Sequence, residues 1–258
     1  MNHSPSRRPF LRPQALKLLV PACGGLGLFL RLTMLRTGVD SKGLLVSNHP
    51  AWIGLWVLFG ATVLMLVLCT RPIHGPAAYR TGFPTSLSAV LGSVLAAAGT
   101  AYSAWTLWQA GSPLFAAAAA LAGLSFLAVA VSRMLDRKPN FLLHVVICVH
   151  FALEMLRLYQ TWSFDPQIQD YCFQLFACIA LTMTAYHLAL FGIGKGSHRL
   201  LWAWGLAAVF LCCVSLDSGS LYLTSGIWAF TNLSNLKRPH RYLRTRRKAA
   251  PAQAEENG

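Results

Sequence analysis

Apolar residues run along this chain in eight stretches of about 18 to 24 residues, separated by short polar segments. The stretches are Leu16–Leu35, Ala51–Thr70, Thr85–Trp108, Leu114–Ser132, Asn140–Tyr159, Ile168–Phe191, Arg199–Leu216 and Gly219–Leu236. None alternates polar with apolar residues as a barrel strand does. Each is long enough for a helix to cross a hydrocarbon core of roughly 30 Å. Lipid offers no partner for backbone N–H and C=O groups, so each stretch must be a helix that satisfies its own. The pattern predicts an all-α, polytopic integral membrane protein: a bundle of eight transmembrane helices over residues 15–236. A basic tail (1–14) precedes it, and a polybasic, then disordered, tail (237–258) follows it.

Charge gives the orientation. Eighteen of the 22 Lys and Arg lie in or beside the two tails and every second loop. Arg7, Arg8, Arg12 and Lys17 open the chain, and Lys237, Arg238, Arg241, Arg244, Arg246, Arg247 and Lys248 close it. Between them come Arg71 and Arg80, then Arg133, Arg137 and Lys138, then Lys195 and Arg199. The other side holds Asp40, Asp165, Asp170 and Asp217 against Arg36 and Lys42 in its loops. Positive residues stay inside, so eight spans put both termini in the cytoplasm of an inner or plasma membrane. Tyr79, Tyr102, Trp105, Trp108, Tyr159, Trp162 and Tyr222 lie near span ends, as interfacial anchors do.

Composition agrees and excludes other classes. The chain is 55% apolar and 12% charged, where a soluble domain has roughly a quarter of its residues charged. From Thr81 to Ser132 there is no charged residue or histidine, room for two crossings and the turn at Gln109–Pro113. The net charge of +14 is spread among membrane flanks, whereas a nucleic-acid binder gathers its cations on one face. All seven cysteines fall inside apolar stretches, against a disulfide framework. The twin-arginine-like Ser6–Arg12 and the lipoprotein-box-like Val20–Cys23 lack the context of a cleaved signal, so the first residues read as a cytoplasmic flank.

The fifth span carries the costly groups: His144, His150, Glu154 and Arg157. On a helical wheel Glu154 lies about 40° from His150, Arg157 about 20° to the other side and His144 about 120° away. Charged groups inside a membrane normally face the bundle and have partners. Span 1 offers one, since Lys17, Gly24 and Arg31 form a stripe spaced by seven, and Arg31 matches Glu154 in depth. The expected site is therefore an Arg31–Glu154 contact with His150, Arg157 and Gln174, and with Asp170 at its mouth. The plainer alternative is that Arg157 pairs with Glu154 along its own helix, with Arg31 reaching the headgroups and His150 a neutral core residue.

Other signals are weaker. His187 and Asn232 suit hydrogen bonds between helices, and His49 beside Pro50 ends a loop. No third ligand joins His150 and Glu154 for a metal, and no cofactor motif appears. Gly192, Gly194 and Gly196 with Lys195 lack phosphate-loop spacing and read as a turn. Gly24, Gly25 and Gly27, and Gly92, Ala96 and Gly99, are small-residue patches for close helix contact. Leu30-Arg31-Leu32 and Leu156-Arg157-Leu158, each followed by an acid, form a faint four-plus-four echo. Lys237, Arg238, Arg241 and Arg244 suit anionic lipid headgroups. Two functions remain open. One is a small carrier with its site among spans 1, 5 and 6. The other is a non-catalytic scaffold, accessory subunit or sensor. An enzyme is disfavoured because no nucleophile, base and metal converge.

Overall fold

The computed structural model describes residues 13–38, 49–70, 79–84, 86–162 and 168–236. The helices are α1 (Pro13–Thr37), α2 (Pro50–Thr70), α3 (Tyr79–Gly82), α4 (Leu87–Gln109) and α5 (Pro113–Met134). They continue with α6 (Phe141–Trp162), α7 (Ile168–Gly192), α8 (His198–Val214) and α9 (Ser220–Ser234). Apart from the one-turn α3, each coincides with a predicted span to within a few residues. The basic tails, with Lys237, Arg238, Arg241 and Arg244, lie outside the described residues. So do Asp40, Lys42, Arg71 and Asp165 and the side chains of Arg80, Trp162 and Asp170.

Local sequence explains the boundaries. Pro50 and Pro113 open α2 and α5, where the missing N–H costs nothing. Pro21 lies inside α1, and the helix continues through it. Hydroxyls within the helices turn onto their own backbone. Thr62, Thr70, Ser93, Thr100 and Thr184 each donate to the carbonyl four residues earlier, so they need no partner on another helix.

Six helices (α1, α2, α4, α5, α6 and α7) are long and apolar enough to cross a membrane. The last two are shorter, α8 at 17 residues and α9 at 15. At 1.5 Å per residue they span about 25 and 22 Å, less than a hydrocarbon core. Packing explains the difference. From Leu201 to Val214 no residue of α8 is exposed, and after Ser220 only Leu223 of α9 is. The α8–α9 hairpin is the centre of the bundle, so its length need not match the lipid.

The long helices form an arc around this hairpin. Helices α4, α5, α6 and α7 pack in sequence, α4 closes onto α9, α7 onto α8, and α1 and α2 cover the other side of α8. Rings of Trp52, Trp56 and Phe59 on α2 meet Phe173 and Phe176 on α7. Phe126, Phe151 and Trp228 fill the middle, edge to face or tilted.

Close approach is made at the predicted small residues. Side chains at Gly92 and Gly99 would collide with Thr231 and Thr224 of α9, and at Gly24 and Gly27 with Cys213 and Val214 of α8. Gly25 faces open space. Successive α4 contacts advance by seven residues while those on α9 retreat by seven, so the two helices run antiparallel. The α1 contacts advance together with those on α8, so those two run parallel.

The bundle thus has two ends. At the tail end α1 begins and α9 finishes; Lys17 of α1 donates to the Ser234 carbonyl at 3.0 Å and sits over the Trp202 ring. At the turn end the 3-10 turn Leu216–Ser218 and Gly219 join α8 to α9. Gly219 has φ of 143°, a conformation that disfavours a side chain.

Candidate functional site: a polar seam at the turn end

The heptad stripe of α1 (Lys17, Gly24 and Arg31) faces α8. It delivers Arg31 to the turn that follows that helix. The Arg31 guanidinium donates through Nε to Asp217 Oδ2 at 3.0 Å. The side chains are 4% and 17% exposed. This corrects the expected Arg31–Glu154 contact: the ion-pair partner of Arg31 is Asp217.

Glu154 has a different partner. Arg157, one turn further along α6, donates through Nε to Glu154 Oε2 at 2.9 Å and through Nη2 to Oε1. Both carboxylate oxygens are used in a forked pair, so the plainer reading of Glu154 and Arg157 holds. Glu154 is 8% exposed and Arg157 30%.

The two pairs belong to one seam. On α7, Gln174 donates through Nε2 to Ser218 Oγ at 2.5 Å. One turn on, Cys178 Sγ and Tyr222 Oη lie 3.9 Å apart. The partners are 44 residues apart in both cases, as two parallel helices in fixed register require. Glu154 is within electrostatic reach of Tyr222, Cys178 and His150. Below the pairs, His150 is buried and its Nε2 has no hydrogen-bond partner among the described residues. Ser225 Oγ and Trp228 Nε1 of α9 are also buried with no hydrogen-bond partner among the described residues.

All five predicted residues, Arg31, His150, Glu154, Arg157 and Gln174, therefore line this seam, wired differently from the expectation. Asp217, Ser218, Cys178 and Tyr222 complete it and were not predicted. Asp217 carried a usable signal, as an acid at the predicted end of the span that follows the α1 contacts. Tyr222 was expected at the interface and is buried instead. Tyr102, Trp105, Trp108 and Tyr159 are exposed, as anchors are.

The seam holds two cations and two anions that cancel pairwise, the condition under which charges are tolerated inside a membrane. Such an arrangement is chemically able to exchange partners or protons. A carboxylate can release an arginine when it takes a proton or binds a cation, and a neutral imidazole nearby can pass that proton on. Among the described residues no group of three or more His, Cys, Asp or Glu is placed to hold a metal ion.

At the tail end the structure makes a second polar cluster. Arg133, in the last turn of α5, donates through Nε to Tyr79 Oη at 2.8 Å and through Nη2 to Asn232 Oδ1 at 2.5 Å. Arg133 was expected as a loop cation and Tyr79 as an interfacial anchor; both are buried. Asn232 makes the interhelical hydrogen bond expected of it, and it also donates to the Trp228 carbonyl. Burial pushes the Tyr79 phenol up, against the opposing pull of Arg133.

The fold and these two clusters define a helical, multi-pass membrane protein. No protein-family model matches the chain, and no curated protein or solved structure matches it either.

Proposed function

We propose that the chain crosses an inner or plasma membrane eight times with both termini cytoplasmic, and that the turn-end seam is the working site of a small carrier. The charge balance of the two ends supports the orientation. Described cations at the tail end (Lys17, Arg133, Arg137, Lys138, Lys195 and Arg199) stand against the single acid Asp136, whereas at the turn end Arg31, Arg36 and Arg157 are nearly balanced by Asp217 and Glu154. Enclosure of α8 and α9 by longer helices accommodates two short crossings.

The observation that carries the site is the pairing of Arg31 with Asp217 and of Arg157 with Glu154 above a buried His150. Ionisable groups so placed in a membrane segment are kept where function needs them. In this reading Glu154 is the proton- or cation-responsive carboxylate and Arg157 its counter-charge. Arg31–Asp217 closes the turn end, and His150 relays the proton or holds the solute.

The second reading is a non-catalytic membrane component, supported by the mutual neutralisation of the pairs and the aromatic filling of the centre. One experiment separates them. Protein in liposomes is tested for solute flux driven by a pH or ion gradient, as wild type, Glu154→Gln and His150→Ala. Flux that Glu154→Gln abolishes supports the carrier. No flux under any gradient, with a co-purifying partner lost on deleting Lys237 to Gly258, supports the component.

A further inference from the structure

Arg133 is a buried cation that meets no carboxylate among the described residues. The nearest acid in sequence is Asp136, one turn on, where an i,i+3 pair could form. The chain instead adopts a left-handed conformation at Asp136, φ 51°, and leaves that side chain exposed. Arg133 turns into the bundle and meets a phenol and an amide, and neither of the two ion pairs among the described residues involves it. The rings of Tyr79 and Phe83 lie 5.8 and 6.0 Å from its guanidinium carbon. His144 of α6 is buried within electrostatic reach, its ring 6.5 Å from that of Tyr79.

A guanidinium has five N–H donors in a planar fork and stays charged at any physiological pH. Two are used among the described residues, which leaves a fork for a bidentate acceptor. A buried charge without a counter-charge is costly, and the group that relieves it is an anion.

Position selects which anion. Helix α5 has 22 residues and is about 33 Å long, with its flank exposed at Leu121, Leu124 and Val131. A residue in its last turn lies at the depth of lipid phosphates. We infer that Arg133, held by Tyr79 and Asn232 with His144 beside it, is a binding site for a phosphate group at the tail end of the bundle. The phosphate belongs to a lipid headgroup or to a phosphorylated small molecule, and the chemistry is common to both. The site is separate from the seam and does not depend on whether the chain carries a solute.

Full-length protein in a neutral detergent is titrated in one arm with inorganic phosphate and in another with short-chain phosphatidylglycerol, and binding is read from phosphorus-31 NMR line widths. Saturable broadening is expected, at least tenfold weaker in Arg133→Met and within twofold of wild type in Lys138→Gln, which changes only an exposed loop cation. Broadening by phosphatidylglycerol alone assigns the headgroup; broadening by both ligands assigns a general phosphate site. Should Arg133→Met fail to fold, Asn232→Asp decides the matter. It places a carboxylate on the guanidinium, and should melt no earlier than wild type while losing the ligand at least tenfold. No saturable broadening by wild type in either arm, or binding that Asn232→Asp leaves within twofold, overturns the assignment.

Discussion

Arg31 of α1 reaches Asp217 in the turn between α8 and α9 across 3.0 Å, and so ties the outer arc of helices to the central hairpin. A double-mutant cycle on Arg31→Ala and Asp217→Ala should give a coupling of at least about 1 kcal/mol. The same cycle on Arg31 and Glu154 should be additive within about 0.5 kcal/mol. Denaturation in mixed micelles measures both, and the reverse pattern would restore the Arg31–Glu154 contact.

The two ion pairs should differ in what their loss costs. Asp217→Asn leaves Arg31 charged, enclosed and without a counter-charge, which costs about 3 kcal/mol. Arg157 is 30% exposed and can extend to the headgroups. Glu154→Gln should therefore cost only about 1 kcal/mol. Stability of the two single variants checks the order.

Adjacent glycines in α1 should respond oppositely to bulk. Gly24→Leu drives a side chain into Cys213 and should cost about 3 kcal/mol or prevent folding. Gly25→Leu meets nothing and should stay within about 0.5 kcal/mol of wild type. Equal effects would mean that α1 does not face α8 through this stripe.

Tyr79 gives the protein an alkaline limit. Burial raises its folded pKa above the ordinary tyrosine value, so the neutral phenol is favoured in the folded state. The associated stability is present below about pH 10, the ordinary tyrosine value. It is lost as pH rises from there through the folded pKa. In Tyr79→Phe the melting temperature should be lower at pH 8, through the lost bond to Arg133, and should fall less between pH 9.5 and 11. A parallel fall in wild type and variant would remove Tyr79 from that transition.

The proposed eight crossings make a labelling prediction. In a cysteine-free background, Lys195→Cys should react with an impermeant maleimide from the cytoplasmic side only, and Ala110→Cys and Ser220→Cys from the opposite side only. All three positions are exposed. Labelling of Ser220→Cys from the cytoplasm would mean that α8 and α9 do not cross.

The helices were legible because their cause is local: each long apolar run has to form its own backbone hydrogen bonds. The five seam residues were legible because charged and amide groups stand out against apolar neighbours. The wiring was not. A helical wheel and a depth match compare two spans at a time, and they favoured Glu154 for Arg31 because both lie inside spans. Asp217 lies in the turn, and its distance from Arg31 depends on α1 packing beside α8. Tyr79 and Tyr222 were misread for a related reason, since an aromatic near a span end can point to the interface or into the bundle.

The sequence by itself determined the all-helical membrane class and the helix boundaries. It could not separate α8 and α9 from the helices around them. A leucine surrounded by protein and a leucine surrounded by lipid read alike, because lipid tails are as apolar as a packed core. Only tertiary packing decided that the last hairpin forms the centre. It also decided that Arg31 fastens to its turn, and that Arg133 turns away from Asp136 into a pocket of neutral partners.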